Sequence, residues 1–310
     1  MIGVALAVSS GAMAQDWAKA NLAKSSRHGE YVTINEPGGR KLQAWVVYPE
    51  VKDKAPVVVM IHEIFGLSDW AREMADEVAG AGYIVVEPDL LSGFGPPTVM
   101  SGVQGSPRLV LAGYQNGQPP QQYHIEHPIM PDAQMEQGGM PYVPARPGGT
   151  SAFPDQSAVV KAVSALPDAQ VMADLDAAAD YGKRLPAASG KLFVAGFCWG
   201  GGKSFLFATH RHDLSAAFVF YGPPPPTDML KNITAPVYGF YAQNDSRITS
   251  TVAKTEASMK EFGKTYEPVV YDGAGHGFMR AGEAPDANAA NAAARQAGFK
   301  RFVTLLGGVR

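Results

Sequence analysis

The stretch from Lys191 to Gly202 has the sequence KLFVAGFCWGGG. Its first part, Lys191 to Phe197, is predicted to be a buried strand, and a helix is predicted from Trp199 to His210. Between them, Gly196 to Gly200 match the pattern Gly-x-nucleophile-x-Gly, with Cys198 at the centre. This arrangement predicts a nucleophile elbow, in which a strained turn lifts the side chain clear of the sheet and only small neighbours fit. The helix N-terminus behind Cys198 favours the thiolate form.

Outward from this stretch, strands and helices alternate along the chain. The predicted strands are Glu30–Ile34, Lys41–Tyr48, Pro56–Ile61, Tyr83–Val86, Lys191–Phe197, Ala216–Tyr221, Pro236–Tyr241 and Glu267–Tyr271. The predicted helices are Ser68–Ala81, Asp168–Arg184, Trp199–His210, Ser250–Phe262 and one that begins near Asp286. This order predicts an α/β protein with a mostly parallel sheet and helices on both faces. Together with the elbow, it predicts one domain of the α/β-hydrolase fold over residues 15–310.

The fold requires an acid and a base after the nucleophile, in that chain order. Asp245 is the first acid beyond the strand that ends at Tyr241, and His276 lies in a glycine-flanked turn beyond the last strand. Each residue alone could be an ordinary loop residue, but the three together in this order predict a catalytic triad. The backbone N–H groups of Trp199 and Ile64 are the predicted oxyanion-hole donors. Glu63 then lies close to the nucleophile.

Composition excludes several other classes of function. The chain has 310 residues, a formal net charge of −3 and 46% hydrophobic residues, so no basic surface for nucleic acid is expected. No apolar run approaches the ~20 residues that span a membrane. Cys198 is the single cysteine, so neither an internal disulfide nor a CxxC metal or redox site is possible.

The N-terminus and one long internal segment stand apart. Residues 1–14 contain an apolar run and the motif Ala12-Met13-Ala14, which resembles a signal peptide without its basic start and predicts a periplasmic or secreted protein, otherwise a cytoplasmic one. Residues 92–154 hold 11 of the 24 prolines. This Pro/Gly-rich insertion is either a disordered linker or, as we favour, a wall over the active site, because it leaves the sheet at the edge where ligands bind. Within it, His124 and His127 lack a third metal ligand, so no metal site is predicted.

Five motifs resemble the dienelactone hydrolase (carboxymethylenebutenolidase) family: HEIFG at 62–66, GFCWGGG at 196–202, FYG at 220–222, NDSRI at 244–248 and HGFMR at 276–280. The resemblance implies the triad Cys198, His276 and Asp245. It implies that Glu63 contacts the resting thiol and takes part in its activation. It also implies that Tyr221 and Arg280 line the substrate pocket, with Arg280 on a substrate carboxylate.

The chain departs from the family pattern in one helix before the elbow. The family has a second arginine and a tyrosine there, and the corresponding places fall near Gln156 and Val160, with Lys161 as the only cation nearby. The catalytic machinery therefore transfers better than the substrate does.

The sequence predicts a hydrolase that cleaves a small-molecule ester or lactone through a covalent acyl-enzyme on Cys198, without a metal or organic cofactor. Neither nucleic acid nor membrane is a predicted partner, and the oligomeric state is left open. The alternative is a non-catalytic member of the same fold that binds a ligand or senses oxidation through its lone thiol.

Overall fold

The structure is a computed structural model that describes residues 15–95 and 148–308. The predicted signal peptide, the His124–His127 pair and most of the predicted insertion lie outside the described residues.

One sheet runs through the described part of the chain. Its strands are β1 (Gly29–Asn35), β2 (Lys41–Val47), β3 (Ala55–Ile61), β4 (Ile84–Asp89), β5 (Ala188–Phe197), β6 (Ala216–Phe220), β7 (Val237–Ala242) and β8 (Tyr266–Tyr271). They lie in the order β1-β2-β4-β3-β5-β6-β7-β8. Strand β2 is antiparallel to β1 and β4, and all other neighbours are parallel. The predicted mostly parallel α/β sheet is confirmed.

Helices cover both faces, as predicted. They are α1 (Asp16–Leu22), α2 (Asp69–Gly80), α3 (Gln156–Ser164), α4 (Asp168–Arg184), α5 (Trp199–His210), α6 (Ser246–Thr249), α7 (Val252–Glu261), α8 (Phe278–Ala281) and α9 (Ala289–Gly308). Alternate residues of β3 face opposite sides: Val57 packs in a core with α4, α5 and α7, and Val58 packs in a second core with α2 and α9. No helix within 15–95 or 148–308 is both long and apolar enough to cross a membrane.

Three element boundaries differ from the prediction by three residues. Strand β5 begins at Ala188, not at Lys191. Strand β4 continues to Asp89, through Pro88, because beyond Val86 it pairs only with β2 and a proline there costs few ladder bonds. The last helix begins at Ala289, not near Asp286, because the side chain of Asn288 accepts a hydrogen bond from the Asn291 N–H at 2.8 Å and caps the helix there.

Both ends of the predicted insertion are packed into the fold. The Ser92 side chain is buried and accepts a hydrogen bond from the backbone N–H of Gln43 in β2. The N–H of Gly149 donates to the carbonyl oxygens of Leu91 and Phe94, and Thr150 bonds to the Asp89 carboxylate. The part of 92–154 that lies outside the described residues is 96–147, and the described residues that flank it, Phe94 and Gly149, are hydrogen-bonded to each other beside β4.

Candidate active site

The turn at Cys198 joins the end of β5 to the start of α5. Cys198 has φ 56° and ψ −115°, and only Tyr221 shares a positive φ among the described non-glycine residues. Such a conformation costs about 1–3 kcal/mol and persists only where the surroundings hold it. Here the Cys198 N–H donates to the carbonyl oxygen of Phe220 at 3.0 Å. The strained elbow that the sequence pattern predicts is present.

Backbone packing behind the turn also holds it. A Cβ on Gly200 would lie 2.4 Å from the carbonyl oxygens of both Ile61 and His62 at the end of β3. A Cβ on Gly222 would lie 2.2 Å from backbone atoms of Gly201. The first turn of α5 thus rests directly on the chain after β3 and β6, as expected of an elbow around which only small neighbours fit.

A chain of hydrogen bonds joins the three residues that the sequence predicts as a triad. The Nε2 atom of His276 lies 3.0 Å from the Cys198 Sγ. Its Nδ1 atom lies 2.5 Å from the Asp245 Oδ2. Because a carboxylate only accepts, Nδ1 carries the proton and Nε2 has a lone pair directed at the thiol. The three residues come from the ends of β5, β7 and β8, which meet at one edge because these strands are parallel.

The surroundings of Cys198 make its resting thiol a weak acid. Burial, followed by the negative charge of Glu63, raises the pKa of Cys198 to about 11. The backbone N–H groups of Trp199 and Ile64 and the charge of Arg247 lower this pKa, but by less. The helix N-terminus thus favours the thiolate, as expected, but desolvation outweighs the N–H groups and the resting group is a thiol.

Glu63 lies beneath the thiol and is almost fully buried. Its Oε2 accepts a hydrogen bond from the Arg280 Nε at 2.7 Å, and its Oε1 accepts one from the Tyr221 hydroxyl at 3.4 Å. No hydrogen bond joins Glu63 to Cys198 in the described structure, where the thiol bonds to His276 instead. The implied contact is thus electrostatic: Glu63 acts on the thiol by its charge.

The two residues expected to line the substrate pocket have different positions. Tyr221 lines a cavity of about 550 Å³ that opens beside Cys198. Arg280 does not line this cavity within the described residues, because its guanidinium is paired with Glu63 and lies over the Phe65 ring, 4.9 Å from the centroid. Burial lowers the pKa of Arg280, but the charge and the hydrogen bond of Glu63, with smaller effects of Tyr221 and Cys198, together outweigh it and raise the pKa overall.

The wall of the cavity is mainly apolar. Its apolar part is formed by Ile64, Trp199, Met172, Leu206, Met229 and the run Pro223–Pro226. The ion pair of Lys203 with Asp168 and the side chain of His210 also line it. Arg247 also lines it, a cation that the sequence analysis did not single out although it follows Asp245 by two positions in the NDSRI motif. Helix α3, which carries Gln156, Val160 and Lys161, does not line the described part of the cavity. Residues in the first turns of α4 line it instead.

The predicted oxyanion donors converge on the sulfur. The N–H groups of Ile64 and Trp199 both act on the Cys198 thiol as hydrogen-bond donors that lower its pKa. Donors that favour a negative sulfur also lie close to the oxygen of a carbonyl that this sulfur attacks.

A second group of acids lies away from the nucleophile. Carboxyl oxygens of Glu73, Glu77 and Glu283 lie within 4.8 Å of one another. Arg295 donates to both Glu77 and Glu283, so this arrangement is an ion-paired cluster with its own internal cation. Burial, together with the neighbouring Glu283, raises the pKa of Glu73 to about 8.

Comparison with known proteins gives consistent results. The sequence model described as the dienelactone hydrolase family matches residues 42–309. A protein of Salmonella typhi, provisionally named a carboxymethylenebutenolidase, is 27% identical over 252 residues, which cover 77% of this chain and 74% of the relative.

Two solved structures share the fold. The structure of a provisionally named dienelactone hydrolase from Klebsiella pneumoniae has a TM-score of 0.66 at 23% identity, with 92% of this chain and 100% of that chain covered. A dienelactone hydrolase-like promiscuous phosphotriesterase from metagenomic libraries has a TM-score of 0.61 at 17% identity, with 92% and 99% covered.

Proposed function

Because the chain belongs to the dienelactone hydrolase family and is a hydrolase of carboxylic ester bonds, we propose that it cleaves its substrate through a covalent acyl-enzyme on Cys198. The observation that carries this proposal is the unbroken line from Asp245 through His276 to the Cys198 sulfur, with steps of 2.5 and 3.0 Å. The substrate is an ester or lactone of a small molecule.

In the first step the thiol loses its proton as the sulfur attacks the substrate. At neutral pH the thiol is protonated, because its pKa is about 11. The Nε2 atom of His276 accepts this proton as the sulfur attacks the carbonyl carbon, and Asp245 stabilises the imidazolium that forms. The N–H groups of Ile64 and Trp199 bind the oxyanion. His276 then protonates the leaving oxygen as its bond to the acyl carbon breaks. Water gives a proton to His276 as it attacks the thioester, and the C–S bond breaks to release the acid while His276 returns the proton to the sulfur.

Glu63 and Arg280 set the charge beside the thiol. The Glu63 carboxylate raises the pKa of Cys198, and the Arg280 guanidinium that pairs with this carboxylate partly offsets its charge. The Glu63–Arg280 ion pair therefore affects how readily the thiol gives its proton to His276.

The cavity suggests which substrates fit. Its wall is apolar, and its volume of about 550 Å³ holds more than a small lactone ring. Arg247 supplies positive charge at this wall. We therefore propose an ester or lactone with an apolar body and a carboxylate.

The alternative of a thiol redox sensor is less well supported. Sensor cysteines react as thiolates and have lowered pKa values, whereas the pKa of Cys198 is raised to about 11.

The test replaces residues of the hydrogen-bonded triad one at a time. Cys198→Ala should lower turnover of p-nitrophenyl acetate by roughly 10³-fold or more. In rapid-quench samples, intact-mass analysis should detect an acetyl adduct on the wild type and none on the variant.

A matched pair controls for loss of a histidine. His276→Gln should inactivate the enzyme, whereas His28→Gln, at a surface position with 68% of its side chain exposed, should not. Near-wild-type turnover by Cys198→Ala would refute the proposal.

A further inference from the structure

His62 is fully buried between the two residues whose N–H groups face the thiol. It follows β3 directly and precedes Glu63 and Ile64 in the chain. Its ring stacks on the Trp199 indole, with centroids 5.8 Å apart and an interplanar angle of 12°. Its carbonyl oxygen lies against Gly200 in α5. The ring therefore has little freedom to move.

The hydrogen bond of this ring is to the backbone. The Nδ1 atom lies 2.7 Å from the carbonyl oxygen of Glu63. Because a carbonyl oxygen only accepts, Nδ1 carries the proton. Burial lowers the pKa of His62, so the ring is neutral and Nε2 is bare. That Nε2 atom is buried without a hydrogen-bond partner in the described structure, so the position keeps a polar ring at the cost of one unpaired atom.

Because a peptide group is planar, this hydrogen bond also determines the direction of the Ile64 N–H. The Glu63 carbonyl and the Ile64 N–H belong to one planar trans peptide unit and point in opposite directions. A donor that fixes the Glu63 oxygen therefore fixes the Ile64 N–H as well. The Gly66 N–H donates to the same oxygen at 3.1 Å, so two donors hold this peptide on one side and leave its N–H directed at Cys198.

We infer that His62 is a positioning residue for the oxyanion hole: its Nδ1–H holds the Glu63–Ile64 peptide so that the Ile64 N–H meets the oxyanion. This inference rests on the proposed function of Cys198. Removing an oxyanion-hole donor outright costs about 10²–10³-fold in kcat. Since the Gly66 N–H remains, loss of the His62 donor should cost roughly 10- to 100-fold.

Three variants separate the donor from the ring. His62→Asn retains an N–H donor near the position of Nδ1, His62→Gln moves it one atom further out, and His62→Leu removes it. We expect His62→Leu and His62→Gln to lower kcat for a p-nitrophenyl ester with little change in KM, and His62→Asn to recover most of the loss. If His62→Leu does not fold, His62→Gln carries the comparison.

Two reagents distinguish the oxyanion hole from the nucleophile itself. With an aryl trifluoromethyl ketone, the sulfur bonds to the carbonyl carbon, the π pair moves to oxygen and the thiol proton goes to His276, so an oxyanion forms. With iodoacetamide, the sulfur bonds to carbon and iodide leaves, and no oxyanion forms. The ketone should bind roughly 10- to 100-fold more weakly to His62→Leu. The limiting alkylation rate above the thiol pKa should stay within about threefold of the wild type.

Equal ketone affinity and equal kcat in His62→Leu and the wild type would overturn the inference. Parallel losses of alkylation and hydrolysis in all three variants, His62→Asn included, would also overturn it and make the ring merely structural. Failure of the proposed function has a different result: Cys198→Ala would then hydrolyse the ester as the wild type does.

Discussion

Replacing Glu63 with Gln should make the Cys198 thiol more acidic. The pKa of this thiol is about 11 against 9.0 for an unperturbed cysteine, and the Glu63 charge is the second cause after burial. Glu63→Gln removes the negative charge and frees the Arg280 guanidinium that it now holds. Both changes stabilise the thiolate, so the pKa must fall. It should stay above 9.0, because burial remains.

The size of the effect is bounded by the difference between the present pKa of about 11 and the ordinary value of 9.0. At pH 8, each unit of decrease raises the thiolate fraction about tenfold, but the more acidic thiolate is roughly threefold less nucleophilic. The net gain in alkylation rate is then about threefold per unit, and it cannot exceed about tenfold for the whole gap.

The assay is the rate of iodoacetamide alkylation from pH 7 to 11.5, which reports on Cys198 alone because the chain has one cysteine. Glu30→Gln, which removes a half-exposed carboxylate at the protein surface, is the matched control. An inflection that stays near pH 11 in Glu63→Gln, or that rises, would refute the electrostatic account of the resting thiol.

Three further predictions concern substrate charge, the insertion and pH. Arg247→Gln should lower kcat/KM for an anionic ester about three- to tenfold and leave kcat/KM for a neutral ester unchanged. Arg280→Ala should lower kcat/KM for both esters, because it leaves the Glu63 charge unpaired. Equal losses for the anionic and the neutral ester in Arg247→Gln would contradict this. Replacing residues 96–147 with a short Gly/Ser linker should retain the fold, because the flanking ends meet, and should change the preference between small and bulky esters; identical kinetics would show that the segment is remote. The raised pKa values of Glu73 and Glu77, about 8 and about 7, mean that the folded state keeps protons that the unfolded chain releases, so the melting temperature should fall from pH 5 to 8. Glu73→Gln should flatten that slope, and an equally steep slope would contradict the assignment.

The sheet and the order of the site residues could be predicted because both depend on local pattern. Continuous apolar runs such as PVVVMI before His62 identify buried parallel strands, and parallel strands bring the residues after them to one edge. Cys198 and Asp245 follow such buried strands or their turns, and His276 follows the partly exposed strand β8. Their proximity follows from this chain order together with the parallel pairing of the strands.

The protonation and the ion pairing of the site residues could not be predicted in the same way. The protonation of Cys198 depends on how much water reaches it and on where the Glu63 charge lies. Both depend on how segments that are far apart in the sequence pack together. The pairing of Arg280 with Glu63 joins residues 217 positions apart, and no pattern in the sequence indicates it. The role of His62 follows from the direction of one peptide plane, which residue type does not specify.

The contacts of Gly200 and Gly201 with the chain after β3 and β6 have a consequence for directed evolution. These backbones touch without intervening side chains, so the frame of the elbow does not depend on which nucleophile occupies position 198. A library should therefore keep positions 200, 201 and 222 as glycine and vary the cavity wall at Met172, Leu206 and Met229. In such a library, exchange of Cys198 for Ser should yield folded protein, whereas a single alanine at position 222 should remove a clone from the soluble fraction.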